Sequence, residues 1–410
     1  MNRNNNITVF EHQSLKIGNG LNEDQFSALQ KHYGVNGVPY YSLIHNGVKF
    51  NEHVGVLQIG NTTIEILPKA EKNTSEPTES WREVLIGMIQ AVGMFNTQAP
   101  SSSSLKLKPN SILDLYFELY INELEYLLRR GLIKKYNKRE GNKGALKGRL
   151  LFNKHIKKNL VHKQRFYVSY TNYDKDHLLH QILFTALDLL SSINYNPLLY
   201  SRIQILLLNF PDVNKLKVSS STFDKIVLNR KSVVYSNAIE IAKLILLNYH
   251  PDLERGRQDV LALMFNMNDL WEKFVLSSIK RNKDEDMKVQ GQLSKSFWQS
   301  DKGGKSRMKP DIVITKDDET IVLDTKWKNL NGKNPSPDDL RQMFVYSKYF
   351  NAKKVALLYP DNDSYSKKGI YYDELGNASD KECAIIGLAV NKQIMQWQKD
   401  ISYQINNWSQ

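Results

Sequence analysis

The most informative stretch of this chain is Lys309-Pro310-Asp311-Ile312-Val313-Ile314, followed closely by Val322-Leu323-Asp324-Thr325-Lys326. Both runs are rich in β-branched and other apolar residues, which is typical of buried strands. The polar residues from Thr315 to Thr320 lie between them and predict a turn. The stretch therefore predicts a β-hairpin with acidic residues in or beside both strands.

The period of a strand places the polar side chains of this hairpin. Residues i and i+2 point to the same face, so Asp324 and Lys326 are expected side by side, and the hairpin brings Asp311 near them. Thr325 points the other way and is expected to pack beneath the sheet with Ile321 and Leu323. Two carboxylates and one ammonium group on one face are what a Mg²⁺-dependent phosphodiesterase needs.

Each residue type suits that chemistry. Mg²⁺ prefers oxygen ligands and is usually held by one or two carboxylates, water and substrate phosphate. Asp311 and Asp324 are the candidate metal ligands. A metal there would acidify a bound water and neutralise charge on the scissile phosphate. Lys326 could orient the water or stabilise the developing negative charge. The alternative interpretation is a surface hairpin with a salt bridge.

The order Pro310-Asp311 … Asp324-Thr325-Lys326 resembles the PD-(D/E)XK nuclease motif. Two neighbouring segments favour the nuclease interpretation. A helix is predicted from Pro337 to Phe350 with Ser336 as a possible cap. Its Gln342 and Tyr346 lie on one helix face and resemble the Gln-x-x-x-Tyr signature of one branch of these nucleases. Lys354 to Tyr359 reads as a further buried strand.

A helix beginning near Asn268 precedes this core, and in the PD-(D/E)XK fold such a helix often supplies another acid. Glu272 is the candidate. It lies off the apolar stripe formed by residues such as Leu270, Phe274 and Ile279, so a solvated glutamate is an equal alternative.

The composition limits the possible functions. A single cysteine, Cys383, excludes an internal disulfide and a cysteine-based zinc site, and its apolar surroundings predict a buried core residue. Met1 to Ile7 is polar and predicts no signal peptide, and no apolar run is long enough to cross a bilayer. We therefore expect a cytoplasmic protein with no membrane association. The net charge of +13 suits a polyanionic partner.

The positive charge is concentrated in residues 131–170, which carry 12 Lys or Arg residues and one acid, Glu140. Glycines divide this segment into turns, and Phe166 to Tyr170 is strand-like. We predict a projecting basic β-structure that contacts DNA or an acidic protein surface. A solvated, mobile loop is the alternative.

The remainder of the chain indicates an α+β protein of several domains. Hairpins are predicted at Asn46-Gly47 and at Gly60-Asn61. The predicted division is a β-rich N-terminal domain at 1–75, a helical middle region at 76–260 that includes the basic segment, and a C-terminal α/β endonuclease domain at 261–410. The other predicted features are a polar linker from Glu71 to Ser80, a helix from about Trp81, a loop from Thr97 to Asn110, and helices at Ser111–Arg130, His177–Ser192 and Ser236–Tyr249, the last capped by Ser236.

The whole chain resembles the McrC family, the nuclease subunits of McrBC modification-dependent restriction systems. The resemblance rests on stretches that occur in order: Val54-Gly55-Val56 … Ile64-Glu65-Ile66-Leu67-Pro68-Lys69, then Gly131 to Tyr136 with Leu146 to Leu150, then Leu270 to Val275, and finally Lys309-Pro310-Asp311 … Leu323-Asp324-Thr325-Lys326-Trp327-Lys328. The last is the most specific.

This resemblance implies a division of labour. McrC-like proteins bind no nucleotide; they dock on a hexameric AAA+ GTPase, McrB, stimulate its GTP hydrolysis and cut double-stranded DNA, while the partner recognises methylated cytosine. Docking involves a finger that enters the ring. The basic segment 131–170 is the candidate finger here, with Lys147 and Arg149 as docking candidates. The resemblance also implies Mg²⁺, with Mn²⁺ as an alternative, and cleavage of both strands is expected to need a second nuclease site.

Gly303-Gly304-Lys305-Ser306 imitates the end of a nucleotide-binding P-loop. Position 299, where the first glycine should stand, is Gln299, and the segment precedes a strand. We interpret it as a basic loop beside the active site. The DNA-binding candidates are Lys305, Arg307, Lys309 and Lys328.

Two other functions fit parts of the sequence. One is a non-catalytic adaptor that only activates the GTPase, against which the intact Asp311, Asp324 and Lys326 argue. The other is an autonomous PD-(D/E)XK repair nuclease, against which the long non-nuclease portion argues.

Overall fold

The computed structural model describes residues 5–35, 37–68, 78–92, 112–250, 259–301, 303–317 and 319–409. The chain divides into two compact units, one formed by Met1–Met94 together with Glu254–Gln410 and the other by Phe95–Leu253. The described part is α+β, as predicted. Within it no helix combines the length and the apolar character that crossing a bilayer requires.

The N-terminal segment of the first unit consists of short strands and two helices. They are β1 (Asn5–Phe10), β2 (Ser14–Ile17), β3 (Gly20–Leu21), α1 (Glu23–Tyr33), β4 (Tyr41–Ile44), β5 (Gly47–Phe50), β6 (His53–Ile59), β7 (Thr62–Leu67) and α2 (Thr78–Ala91). Both predicted hairpins are confirmed, because β4 pairs antiparallel with β5 and β6 pairs antiparallel with β7. Helix α2 begins three residues before the predicted start; residues 71–77 of the predicted linker lie outside the described residues.

The second unit contains most of the helices. Its elements are α3 (Ile112–Arg130), β8 (Lys135–Lys143), β9 (Arg149–Leu150), α4 (Phe152–Asn159), β10 (Phe166–Asp174), α5 (Leu178–Ile193), α6 (Pro197–Asn209), α7 (Ser220–Asp224), a 3₁₀ turn (Val233–Tyr235), α8 (Ser236–Leu247) and β11 (Tyr249–His250). Helix α3 is buried along its apolar face, and Tyr120 Oη donates to Leu183 O of α5 at 2.6 Å. The predicted loop at Thr97–Asn110 lies outside the described residues.

Two local predictions in this unit are corrected. Ser236 is the first residue of α8 and does not cap it, because the preceding 3₁₀ turn leads directly into the helix. The same helix ends at Leu247, two residues earlier than predicted.

The basic segment forms a three-stranded antiparallel sheet in the order β8-β10-β9, with the short helix α4 between β9 and β10. Its last strand reaches Asp174, beyond the predicted limit of 170. Helix α4 was not predicted, since the sequence offers no capping side chain at Leu151. We call the range 131–174 the basic sheet segment.

The C-terminal part of the first unit carries the remaining elements. They are β12 (Val260–Asn266), α9 (Met267–Asn282), β13 (Lys288–Gly291), β14 (Lys295–Gln299), β15 (Lys305–Met308), β16 (Ile312–Lys316), β17 (Glu319–Thr325), α10 (Pro337–Tyr349), β18 (Lys354–Asp361), β19 (Tyr365–Tyr372), β20 (Ala378–Ala389) and α11 (Ile394–Ser409). Strands β14 and β15 form a separate two-stranded ribbon. The other strands from β13 to β20 form one sheet in the order β13-β16-β17-β18-β20-β19.

That sheet is mixed. Strands β16 and β17 form the predicted hairpin, with Lys316 opposite Glu319, so the turn is shorter than Thr315 to Thr320. Strand β18 lies parallel to β17 and to β20. Helix α10 packs on the sheet through Met343 and Tyr346, which share a core with Val322 and Leu357. Cys383 is buried in the same core, as predicted.

Strand β12 joins the C-terminal part to the N-terminal sheet. It pairs antiparallel with β6, and the sheet continues through β7 to β1. A Cβ atom at Gly55 would lie 2.1 Å from Leu263 O, so glycine permits the close approach of the two strands. The predicted division at 260/261 would cut this sheet. The sequence could not show this, because the alternation of residues along β12 does not reveal which sheet the strand joins.

Candidate active site

The two candidate metal ligands lie at the ends of neighbouring strands. Asp311 immediately precedes β16, and Asp324 is the penultimate residue of β17, whose Leu323 pairs with Ile312. Asp324 is buried, with 2% of its surface exposed. Both strands are rich in β-branched residues and are largely buried. The hairpin is therefore held rigidly, and its two acids lie where the strands begin and end.

Thr325 holds Asp311 in place. Its backbone N and its Oγ1 both donate to Asp311 Oδ2 at 2.7 Å. Thr325 therefore does not simply pack beneath the sheet with Ile321 and Leu323, as we predicted. The prediction was wrong because it considered one strand alone, whereas the carboxyl group of the neighbouring strand reaches across to the hydroxyl.

Lys326 contacts three polar side chains. Its Nζ lies 2.8 Å from Asp324 Oδ2 and 3.8 Å from Asp339 Oδ1, and it donates to Gln342 Oε1 at 3.4 Å. The i, i+2 spacing therefore brings Asp324 and Lys326 together, as predicted. Asp339, in the first turn of α10, was not among the predicted site residues.

Helix α10 brings the predicted pair Gln342 and Tyr346 to the same place. Ser336 caps the helix, accepting from Asp339 N at 3.1 Å, as predicted. Gln342 Nε2 donates to Tyr346 Oη at 2.8 Å and lies 3.5 Å from Asp324 Oδ1. One amide thus links the acid, the lysine and the tyrosine.

Helix α9 contributes two more acids. Glu272 is half-buried and accepts from Gln292 Nε2 at 2.8 Å. Burial, together with the negative charge of Asp311, raises the pKa of Glu272 to about 7. Asp269, one turn earlier, also acts electrostatically on Glu272 and Asp311, and the sequence analysis missed it. The available signal was the i, i+3 spacing of Asp269 and Glu272 within the first two turns of a helix.

Trp327 fixes the exit from β17. Its indole Nε1 donates to Glu11 Oε1 at 2.9 Å, and its backbone N donates to Asn268 Oδ1 at 3.3 Å. Its ring also lies 5.4 Å from that of Trp271 in an edge-on arrangement. These contacts tie the site to the residue that follows β1 and to α9, which positions the acids of α9 relative to the hairpin.

The cluster carries excess negative charge, and its acids Asp311 and Asp324 are half-buried and buried, respectively. Burial and the charge of Asp311 raise the pKa of Asp324 to about 6, although Lys326 acts in the opposite direction. Burial also raises the pKa of Asp311, against the hydrogen bonds from Thr325. Burial lowers the pKa of Lys326, but the nearby carboxylates outweigh that effect and raise it. Such a cluster attracts a cation.

The donor set fits Mg²⁺. Asp324 is buried, and its Oδ2 forms an ion pair with Lys326 Nζ at 2.8 Å, while Oδ1 lies 3.5 Å from Gln342 Nε2. Both hydrogen bonds to Asp311 use Oδ2. Three or more metal-binding side chains do not converge anywhere in the described ranges. Two carboxylates completed by water and phosphate are the arrangement that Mg²⁺ commonly takes.

The predicted DNA-binding cations have different surroundings. Lys305, Arg307 and Lys309 are exposed on or just after β15. Lys328 instead forms an ion pair with Asp339, with 2.7 Å between Nζ and Oδ2. Gly303 and Gly304 lie between the two strands of the ribbon, so the segment that imitates a P-loop does not join a strand to a helix.

The predicted docking residues lie in the second unit, in the basic sheet segment. Lys147 Nζ donates to Asn172 Oδ1 at 3.0 Å and lies 5.2 Å from the centre of the Tyr170 ring. Arg149 is exposed in β9, opposite Ser169 of β10. Strand pairing fixes the backbone of Arg149, whereas Lys147 lies in the segment between β8 and β9.

Comparison with known proteins gives a family and a fold. A family model described as McrBC 5-methylcytosine restriction system component matches residues 48–360. No curated protein matches the sequence significantly. A chain in the refined half-complex from a tetradecameric assembly of Thermococcus gammatolerans McrB AAA+ hexamers with bound McrC is 20% identical, with a TM-score of 0.70; the match covers 98% of this chain and 100% of that one. A chain in the cryo-EM structure of the Thermococcus gammatolerans McrBC complex is 19% identical, with a TM-score of 0.48, covering 68% of this chain and 89% of that one.

Proposed function

The chain belongs to the McrBC 5-methylcytosine restriction system component family, and from this membership we propose that it is the nuclease subunit of such a system. In this proposal it is a type IV restriction endonuclease subunit that hydrolyses DNA phosphodiester bonds with Mg²⁺. It docks on a hexameric AAA+ GTPase and stimulates GTP hydrolysis there. The AAA+ subunit binds the GTP and recognises the methylated cytosine.

The catalytic part of the proposal rests on the cluster of Asp311, Asp324 and Lys326 at the ends of two neighbouring strands of the mixed sheet. Asp324 is buried and forms an ion pair with Lys326, with 2.8 Å between Oδ2 and Nζ, and both hydrogen bonds from Thr325 to Asp311 reach Oδ2. Lys326 compensates one negative charge, and the mutual repulsion of Asp311 and Asp324 favours an additional cation between them. The PD-(D/E)XK assignment of this domain rests on that cluster and on the order of its residues.

Each side chain has a role in phosphodiester hydrolysis. Mg²⁺ held by Asp311 and Asp324 would activate a water molecule and neutralise charge on the scissile phosphate. Lys326 orients the attacking water and stabilises the extra negative charge on the phosphate oxygens. Gln342 keeps the ammonium group of Lys326 directed at that place, and Tyr346 in turn holds Gln342.

Glu272 is the candidate proton acceptor or additional metal ligand. Glu272 lies in the second turn of α9, where the charge of Asp311 acts on it, and Gln292 fixes its orientation through a hydrogen bond of 2.8 Å. Either role requires its carboxylate form. Its half-buried position keeps the carboxyl group partly accessible to solvent.

The docking part rests on the fold and on the second unit. The structure of similar fold contains McrB AAA+ hexamers with bound McrC. In this chain the basic sheet segment, with Lys147 and Arg149, is the proposed contact with the AAA+ subunit. Cleavage of both DNA strands then uses the nuclease sites of two complexes, since one site of this kind cuts one strand at a time.

Active-site variants separate the two parts of the proposal. Asp311→Ala and Asp324→Ala should abolish cleavage of a methylated plasmid while GTPase stimulation of the AAA+ subunit stays at the wild-type level. Asp363→Ala, an exposed acid in the turn after β18, is the matched control and should cut normally. If the wild-type protein stimulates the GTPase but does not cut the plasmid, the result would support the adaptor function. Cutting without the partner would support an autonomous nuclease.

Deletion of residues 131–170 tests the docking assignment. The shortened protein should lose GTPase stimulation, because the proposed contact with the AAA+ ring is gone. Intact stimulation would reassign the segment to DNA. In that case, neutralising its lysines should lower the slope of log affinity against log salt concentration by about one unit per phosphate contact.

A further inference from the structure

The ribbon formed by β14 and β15, residues Lys295–Met308, stands apart from the six-stranded sheet. Among the described strands its two members pair only with each other. Every residue of β14 is exposed, and so are Lys305, Ser306 and Arg307 of β15. A two-stranded ribbon alone is only marginally stable in water, so its base must be anchored.

Two contacts anchor that base. Met308, the last residue of β15, is buried in the core of the C-terminal sheet, and the partly buried Leu293 packs against that core. Lys295 Nζ donates to Tyr349 O at 3.0 Å and lies 4.6 Å from the centre of the Phe350 ring. The remainder of the ribbon therefore extends into solvent from a fixed base.

The outer part of the ribbon exposes two consecutive aromatic residues. The register between Ser296 and Trp298 shifts by one residue, so Phe297 is the extra residue of a β-bulge. Bulges redirect side chains. Phe297 is 48% exposed and Trp298 is 58% exposed, whereas a regular strand would alternate them between its two faces. Two large apolar rings exposed on the outer part of the ribbon favour a partner that covers them.

The charge of the ribbon identifies that partner as a polyanion. Residues 295–309 contain five Lys or Arg residues and one acid, Asp301. Arg307 lies opposite Ser296, and Lys305 lies opposite Gln299, so cations flank the aromatic pair on the facing strand. Cations alternating with aromatic rings are typical of nucleic-acid surfaces, where rings stack on bases and cations contact phosphates.

The position of the ribbon relates it to the active site. Only Lys309 and Pro310 separate β15 from Asp311. At about 3.3 Å per residue, Ser306, which faces Trp298, lies within about 17 Å of Asp311 along the chain. That length corresponds to about five base pairs of duplex, each about 3.4 Å long.

We propose that this ribbon is a DNA-gripping arm, in which Trp298 and Phe297 wedge against the base stack a few base pairs from the scissile phosphate. Lys305 and Arg307 contact the phosphates on either side. The arm bends or partly unstacks the duplex and so positions the phosphate at Asp311 and Asp324. This inference rests on the proposed nuclease function and adds how the substrate is held.

The test compares two 30-base-pair duplexes, one fully paired and one with a central mismatched pair, in EDTA so that no cleavage occurs. A wedge binds the mismatched duplex more tightly, because the mismatch lowers the cost of unstacking. Binding of the full-length protein, alone and with its AAA+ partner, is measured by fluorescence anisotropy. Wild type should prefer the mismatched duplex by about tenfold, in line with the worth of one stacked base.

Three variants separate stacking from charge. Trp298→Ala should abolish the preference, while Trp298→Phe should retain part of it. Arg307→Gln should weaken binding of both duplexes equally and lower the salt slope by about 0.9. Tyr372→Ala, which removes a 72% exposed aromatic residue from β19, is the matched control and should change nothing.

The possible failures are distinguishable. Equal binding of the two duplexes by wild type, or an unchanged preference in Trp298→Ala, would overturn the arm while leaving the nuclease function intact. Loss of GTPase stimulation in Trp298→Ala with normal DNA binding would overturn it in favour of protein docking. Cleavage by Asp324→Ala would instead overturn the proposed function, whatever the arm does.

Discussion

Asp324→Asn should stabilise the metal-free protein, although it destroys the proposed active site. The fold raises the pKa of Asp324 from 3.8 to about 6 through burial and the charge of Asp311. Holding this carboxyl group ionised therefore costs about 3 kcal/mol of folding free energy at pH 8. Asparagine has nearly the same shape and no charge, so the variant should recover a large part of that cost.

The pH dependence of the gain follows from the sign of the shift. Below about pH 4 the carboxyl group is protonated in both the folded and the unfolded chain, so wild type and variant should be equally stable. The difference should grow as the pH rises towards 6 and be complete above it, because the unfolded chain then carries the charge at no cost.

Thermal unfolding in EDTA at pH 4, 6 and 8 measures the effect. At pH 8 the melting temperature of the variant should exceed that of wild type by several degrees. Added Mg²⁺ should then raise the melting temperature of wild type alone, because the variant lacks one ligand.

Asp339→Asn is the matched control with the opposite sign. Burial acts to raise the pKa of Asp339, but hydrogen bonds from Lys328 and Ser336 outweigh it and keep the pKa low. This substitution should therefore lower stability at neutral pH. A less stable Asp324→Asn variant, or a gain that does not depend on pH, would refute the electrostatic account of the site.

Three further predictions concern neighbouring groups. Lys326→Met should slow cleavage at least about 100-fold in single-turnover assays while Mn²⁺ affinity, measured by calorimetry, is retained; lost metal binding would contradict the catalytic role. Gln342→Ala should slow cleavage about 10- to 100-fold with DNA affinity unchanged, and an unaltered rate would remove it from the site. In Gly148→Ala the new Cβ would lie 2.4 Å from Ser169 O at a φ of +77°, so hydrogen exchange in β9 and GTPase stimulation should both be disturbed. Gly144→Ala, which meets no atom within 4 Å, should match wild type.

The candidate site was predictable where its geometry is local. The two-residue period of β17 places Asp324 beside Lys326, and the four-residue spacing of α10 places Gln342 beside Tyr346. Both relations are confirmed by contacts in the structure. They depend only on the type of element, which the apolar pattern reveals.

Other parts of the site depend on how distant elements meet. The hydrogen bonds from Thr325 to Asp311 cross between strands, and the influence of Asp269 requires α9 to lie against the hairpin. Neither relation is encoded in the spacing of residues along one element. The pairing of β12 with β6 was not predicted for the same reason, since the alternation of residues along a strand does not show which strand pairs with it.

The most direct test of the central claim is linearisation of a 5-methylcytosine-containing plasmid by wild type and Asp324→Asn, with Mg²⁺, GTP and the AAA+ subunit. We predict that wild type linearises the methylated plasmid only when GTP and the AAA+ subunit are both present. Asp324→Asn should leave the plasmid intact while GTP is hydrolysed at the stimulated rate. Linearisation by Asp324→Asn at the wild-type rate would contradict the assignment of the active site.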